Sequence, residues 1–263
     1  MGRTLLIVFL VILFFSVIIS SACLVMLHLI GQIERDIPLN LSRAAAAALP
    51  NIVMAFPVML LWSVLWFLLT LVEMLFSARD DEAESDPGTS DIARTVAGFE
   101  EFSLSGAFFE ALNKGLRMLA FLIYPAIAWE GASPVAAIKR GLGVATAHKT
   151  EFATGFVMTE LAATIVFVPP GIVFLLSDRA GLQFPQWVWL ATILYSAFAW
   201  SFTIMLEQLF TAELYLWHLL WRRECTNAAE SGTAAPELCD IRPPALTDRL
   251  PSLAATAGNV VPR

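Results

Sequence analysis

Apolar residues in this chain fall into long runs separated by short polar stretches, and that pattern predicts helices that cross a membrane. A hydrocarbon core about 30 Å thick takes about 20 residues of helix, so a predominantly apolar window of that length is a candidate crossing. Four windows meet the requirement: Thr4 to Ile30, Ile52 to Phe76, Phe152 to Leu176, and Trp187 to about Trp221. The last opens with Trp187 and Trp189 and closes with Trp217 and Trp221. Trp189 and Trp217 would lie about 42 Å apart along a helix, which matches the two headgroup levels of a bilayer.

Two other stretches need separate treatment. Ser20-Ser21-Ala22-Cys23 faintly resembles a lipoprotein cleavage box, but the apolar run exceeds the 7 to 15 residues or so of a signal peptide and continues past Cys23, so it is expected to stay uncleaved. From Phe102 to Arg117, Leu104, Phe108, Phe109, Leu112 and Leu116 recur at helical spacing while Glu110, Asn113, Lys114 and Arg117 gather on the other side. That is an amphipathic helix. Met118 to Trp129 is wholly apolar but short and contains Pro125, which suits a re-entrant or interfacial segment. If the two pieces join into one tilted helix, a fifth crossing becomes possible.

Composition agrees with a membrane chain. Of 263 residues 58% are apolar and only 15% charged, more apolar content than a water-soluble core of this size needs. Gly at 14, Pro at 14 and Cys at 3 exclude a collagenous repeat and a disulfide-stapled fold. A net charge of -7, with basic residues scattered, argues against nucleic acid as a partner.

Lys and Arg near span ends set orientation. With four spans and both termini inside, the inner face collects Arg3, Arg79, Arg94, Lys114, Arg117, Lys139, Arg140, Lys149, Arg222, Arg223 and the tail arginines, leaving Arg35, Arg43 and Arg179 outside. Five spans would move Arg3, Arg79, Arg94, Lys114 and Arg117 outward, so four is preferred. The acidic cluster from Asp80 to Asp91 contributes little to this rule.

These readings divide the chain into the first two spans (1–76), an acidic flexible linker (77–101), cytoplasm-facing amphipathic or re-entrant helices (102–151), the last two spans (152–223) and a tail (224–263). The linker contains Pro87-Gly88 and no apolar periodicity. The tail is rich in Ala, Thr and Pro and is expected to be disordered. Its Cys225 and Cys239 have no metal-ligand spacing.

The string Glu130-Gly131-Ala132-Ser133-Pro134-Val135-Ala136-Ala137-Ile138-Lys139-Arg140-Gly141 reads physically as a helix start, with Ser133 as N-cap and Pro134 at the first helical position. Val135, Ile138 and Leu142 form an apolar stripe flanked by Lys139 and Arg140, an interfacial pattern. The string resembles the Glu-Gly-x-Ser-Pro-x-x-Ala-x-x-Arg signature of a polytopic membrane-domain family found fused to some glycerophosphodiester phosphodiesterases and in stand-alone membrane proteins. The likeness extends weakly through a following span to Leu214-Tyr215 and Arg222-Arg223, about a third of the chain, with Gly141 where such proteins often have Ser. It implies a membrane module and not the hydrolase, whose barrel has no counterpart here.

Ionisable residues within spans cost about 2.5 to 3.5 kcal/mol each at mid-helix and are candidate sites by default. They are Glu73, Glu160, Glu207, Glu213 and His218, with His28 near the outer end of the first span. Glu73, Glu160, Glu213 and His218 would share the cytoplasmic half of the bilayer, although residues near helix ends often only snorkel or bond a neighbouring helix. Glu207 lies too deep for easy snorkelling. Pro169-Pro170-Gly171 falls inside the third span and marks an expected helix break, a feature transporters use to expose carbonyls.

Catalytic chemistry has no visible carrier. His28, His148 and His218 lie apart without metal-ligand spacing, there is no nucleophile and base pair, and no phosphate loop, so neither an enzyme nor a bound cofactor or metal is expected. The sequence therefore predicts an all-α, polytopic inner-membrane protein of a bacterium that binds a partner protein, another copy of itself or anionic lipid headgroups. Lys114, Arg117, Lys139, Arg140 and Lys149 are the candidate contacts, each adding about 1 kcal/mol near an anionic surface. The alternative is a small-solute or ion transporter built on the broken helix and Glu207.

Overall fold

The computed structural model describes residues 2–77 and 104–244. Among them the chain forms six α-helices and no strand: α1 (Gly2–Glu34), α2 (Leu41–Ser77), α3 (Leu104–Glu130), α4 (Pro134–Ala147), α5 (Lys149–Ala180) and α6 (Gln186–Ser231), followed by a 3-10 turn at Leu238–Asp240. Four helical stretches are long and apolar enough to cross a membrane: Arg3–Glu34, Leu41–Val72, Lys149–Ser177 and Gln186–Ser231. The shortest has 29 residues, about 44 Å at 1.5 Å per residue, which exceeds a hydrocarbon core of about 30 Å. An all-α bundle compatible with an integral membrane protein is the result. The linker expected at 77–101 lies, apart from Ser77 at the end of α2, outside the described residues.

The chain divides into two compact units, one of Met1–Phe67, Leu116–Phe152 and Gln208–Arg263, the other of Leu68–Gly115 and Ala153–Glu207. At the centre of the first lies the second half of α3, where Met118, Phe121, Leu122, Tyr124, Ala126 and Ile127 are almost fully buried. Here the structure differs from the expected separation at Arg117: the amphipathic and apolar pieces join into one 27-residue helix running through Pro125. A short helix that is apolar all round satisfies itself as the core of a bundle, which a length criterion for spans does not detect.

Each neighbour in this unit grips α3 through a specific contact. The hydroxyls of Ser20 on α1 and Tyr124 share a 2.6 Å hydrogen bond, and Trp129 Nε1 donates to the Leu27 carbonyl at 3.1 Å. Trp62 on α2 meets Phe121 edge to face. α4 approaches closely, because Gly141 is bare: a Cβ there would stand 2.8 Å from Ile123 Cγ1 and 3.1 Å from its Cα. On α6 the Tyr215 ring lies 6.2 Å from that of Trp129, and Gln208 donates to the Cys23 carbonyl of α1 at 2.5 Å.

α4 begins as its sequence predicts, with Ser133 in an extended N-cap conformation and Pro134 at the helix start, though the Ser133 hydroxyl makes no capping bond. Its inward face is Ala137, Gly141 and Val144, not the Val135 and Leu142 stripe, which points outward. The tail departs from expectation. α6 continues to Ser231, and 232–244 folds back so that Trp221 Nε1 donates to the Pro236 carbonyl, Trp217 Nε1 donates to the Ile241 carbonyl, and Leu238 is buried. Two indole donors and one leucine tether a segment whose composition alone reads as unstructured. The rest of the tail, 245–263, lies outside the described residues.

In the second unit, Phe174 and Trp189 form a small core with Val173, Phe184 and Ile193 packed against it. The break expected at Pro169, Pro170 and Gly171 does not occur: α5 is helical throughout. Pro170 has no N–H to offer the Val166 carbonyl one turn earlier, and the Tyr195 hydroxyl on α6 donates to that carbonyl instead, at 3.0 Å. A side chain from the next helix thus supplies one of the two bonds that the prolines withhold, and the helix continues through them.

Candidate functional site

Three helices of the first unit bring charged and polar residues to one carboxylate. α3 ends at Glu130, and Gly131, at φ +61°, takes the left-handed turn that lets the chain leave the helix and start α4 three residues later. Arg140 lies at the edge of the inward face of α4, and Tyr215 and Arg222 stand two turns apart on α6, on one side of that helix. Glu130 Oε1 accepts a short hydrogen bond from the Tyr215 hydroxyl. Glu130 Oε2 accepts one from Arg140 Nη1 at 2.6 Å and lies 3.5 Å from Arg222 Nη2. The Glu130 side chain is 16% exposed, against 42% for Arg140 and 55% for Arg222. Tyr215 is fully buried.

An imidazole pair extends the polar face of α6. His218, one turn beyond Tyr215, places its Nδ1 2.9 Å from His148 Nε2, so one ring donates and the other accepts. Trp221 packs against both rings, at 5.4 Å from His148 and 5.5 Å from His218. Burial pushes the His148 imidazole below its ordinary value, opposed in part by the Glu151 carboxylate. Among the described residues there is no group of three or more His, Cys, Asp or Glu side chains placed to hold a metal ion.

The residues expected to carry the site have different fates. Lys114 was expected at the surface with the other cations but is buried: its ammonium bonds Glu160 at 2.5 Å and the Phe156 carbonyl at 3.2 Å, and sits 4.7 Å from the centre of the Phe156 ring. A carboxylate on an apolar helix needs a counter-charge, and Lys114 is the one that supplies it. Arg117 is half-buried, while Lys139, Arg140 and Lys149 are exposed. Glu207 is fully buried on α6 in the second unit, and Glu213 is half-buried on the same helix in the first. His28 bonds the Asn51 amide at 2.9 Å. Glu73 lies in α2, with its side chain outside the described residues.

Sequence reading passed over Glu130, Tyr215 and Arg222 as site residues. The signal was available, since Glu130 and Arg140 bound the string quoted for its helix start and Tyr215 and Arg222 close the last span. What the string cannot display is that its two charged ends meet each other. Comparison of the chain with protein-family models, characterised proteins and solved structures gives no match.

Proposed function

We propose that this is a non-enzymatic integral protein of a bacterial inner membrane, with four crossings and both termini in the cytoplasm, that holds anionic lipid headgroups along α4. The observation carrying this reading is the direction in which α4 faces. Val135 is 67% exposed and Leu142 45%, and Lys139 falls between them on the helix surface. An apolar stripe turned outward, with exposed Lys139, Arg140 and Lys149 beside it, suits a helix lying in the headgroup layer, its apolar side in lipid and its cations snorkelling to phosphate. The resemblance of the Glu130 to Gly141 string to a polytopic membrane-domain family is consistent with this role.

The test is lipid preference after reconstitution. The protein should enrich phosphatidylglycerol over phosphatidylcholine in its bound shell, and Lys139→Gln with Lys149→Gln should remove about 1 kcal/mol per cation from that preference. Equal enrichment of the two lipids in the unaltered protein contradicts it, and a protein partner that co-purifies without lipid preference would favour a docking module instead. A solute or ion path is the second reading, favoured by Glu207, a fully buried carboxyl on a crossing helix. It requires uptake into proteoliposomes that Glu207→Gln abolishes.

A further inference from the structure

We infer that Arg140 and Arg222 form a clamp for a phosphate group, with Glu130 as the post that fixes both guanidiniums. The inference deepens the lipid-surface reading and rests on it. One carboxylate faces two permanent cations, so the cluster keeps a surplus positive charge after its internal pairing. Donor capacity points the same way. A guanidinium carries five N–H groups, and among the described residues each of these two makes its polar contact to Glu130 alone, at 2.6 Å and 3.5 Å. Both arginine side chains remain about half exposed.

Glu130 has no capacity to rearrange. Its second oxygen is taken by Tyr215, which is itself buried in the packed interior of the unit, so the carboxylate is held at both ends. Two planar forks anchored on one fixed point are preorganised for an anion that accepts on several oxygens, and phosphate geometry meets that demand. Trp217 and Trp221 precede Arg222 on α6, and tryptophan is the residue type that concentrates at headgroup depth. The surplus positive charge suits a phosphate oxyanion, whereas the choline of a zwitterionic headgroup brings an extra cation toward it.

The clamp is tested on the full chain in a neutral detergent, by following tryptophan fluorescence while titrating dihexanoyl phosphatidic acid, dihexanoyl phosphatidylcholine and inorganic phosphate. Saturable binding of phosphatidic acid, with little response to phosphatidylcholine, is expected. Inorganic phosphate binding as tightly identifies a free phosphate as the ligand, and phosphatidic acid alone identifies a lipid headgroup; either supports the clamp. Arg140→Lys with Arg222→Lys keeps the charge and a partner for Glu130 but removes the forks, and should weaken binding at least ten-fold. Unchanged affinity in that variant, or equal binding of phosphatidylcholine by the unaltered chain, overturns the clamp. Loss of the phosphatidylglycerol preference in the unaltered chain fails the surface reading instead.

Discussion

The two units each bury part of an ionic cluster, and the clusters are closed to different degrees. In the second unit one ammonium meets one carboxylate: Lys114 is 6% exposed, its charge matched by Glu160 and its remaining donor capacity partly met by the Phe156 carbonyl. In the first unit one carboxylate meets two guanidiniums that stay half exposed. Charge matched one to one holds helices together and leaves nothing for a ligand. Charge in surplus, fixed by a buried post, leaves donors for a partner from outside. Counting cations in the sequence cannot separate these cases, because Lys114 and Arg140 look alike until their counter-ions are placed.

Four substitutions or conditions would break or sharpen this contrast. The largest effect is expected from Gly141→Leu, since even a Cβ at that position meets Ile123 at 2.8 Å. It should cost about 3 kcal/mol through overpacking and lift Arg140 away from Glu130, which denaturant unfolding in micelles would measure. Glu130→Gln comes next. It keeps the shape of the side chain but removes the charge that two arginines face, and should cost about 2 kcal/mol, less than for a fully buried pair because both arginines are partly in solvent.

Lys114→Met should cost about 1 kcal/mol, because Glu160, at 53% exposure, is not sealed in when its partner goes. The informative variant adds Glu160→Leu. If the pair serves only to close on itself, the double substitution recovers stability, as apolar replacements of matched ion pairs often do. Failure to recover would mean that this pair also has a role beyond packing.

The smallest effect is the pH response of the imidazole pair. His148 faces His218 and Trp221, with Glu151 nearby, and burial holds its affinity for protons below the ordinary value of 6.5. Its contribution to stability should be complete above about pH 6.5 and decline as pH falls through its lowered value, because the unfolded chain then binds the proton more readily. Unfolding midpoints at pH 8 and pH 5 should differ in that direction, and His148→Asn should reduce the difference.

Much of the architecture was legible from apolar run length alone, since each of the four windows falls within one long helix. Ser133 and Pro134 likewise announce the start of α4. The misreadings share a cause: the partner was remote in sequence. Pro169 and Pro170 read as a break because nothing near them shows that Tyr195 will cap the Val166 carbonyl. Met118 to Trp129 read as interfacial because its environment is other helices rather than its own neighbours. The end of α6 read as the start of a disordered tail, although Trp217 and Trp221 were in view, because their bonds go to carbonyls at Ile241 and Pro236. The site followed the same rule: Arg140 was identified, but not the Glu130 that orients it.

The most direct test of the account is the surroundings of α4 in a bilayer. Nitroxide labels placed singly at Val135, Leu142 and Ala147 of the reconstituted protein can be probed with oxygen, which partitions into lipid, and with a water-soluble nickel chelate. The account predicts that labels at Val135 and Leu142 collide with oxygen and are shielded from nickel, while the label at Ala147 shows the reverse. Nickel access at all three positions would contradict it.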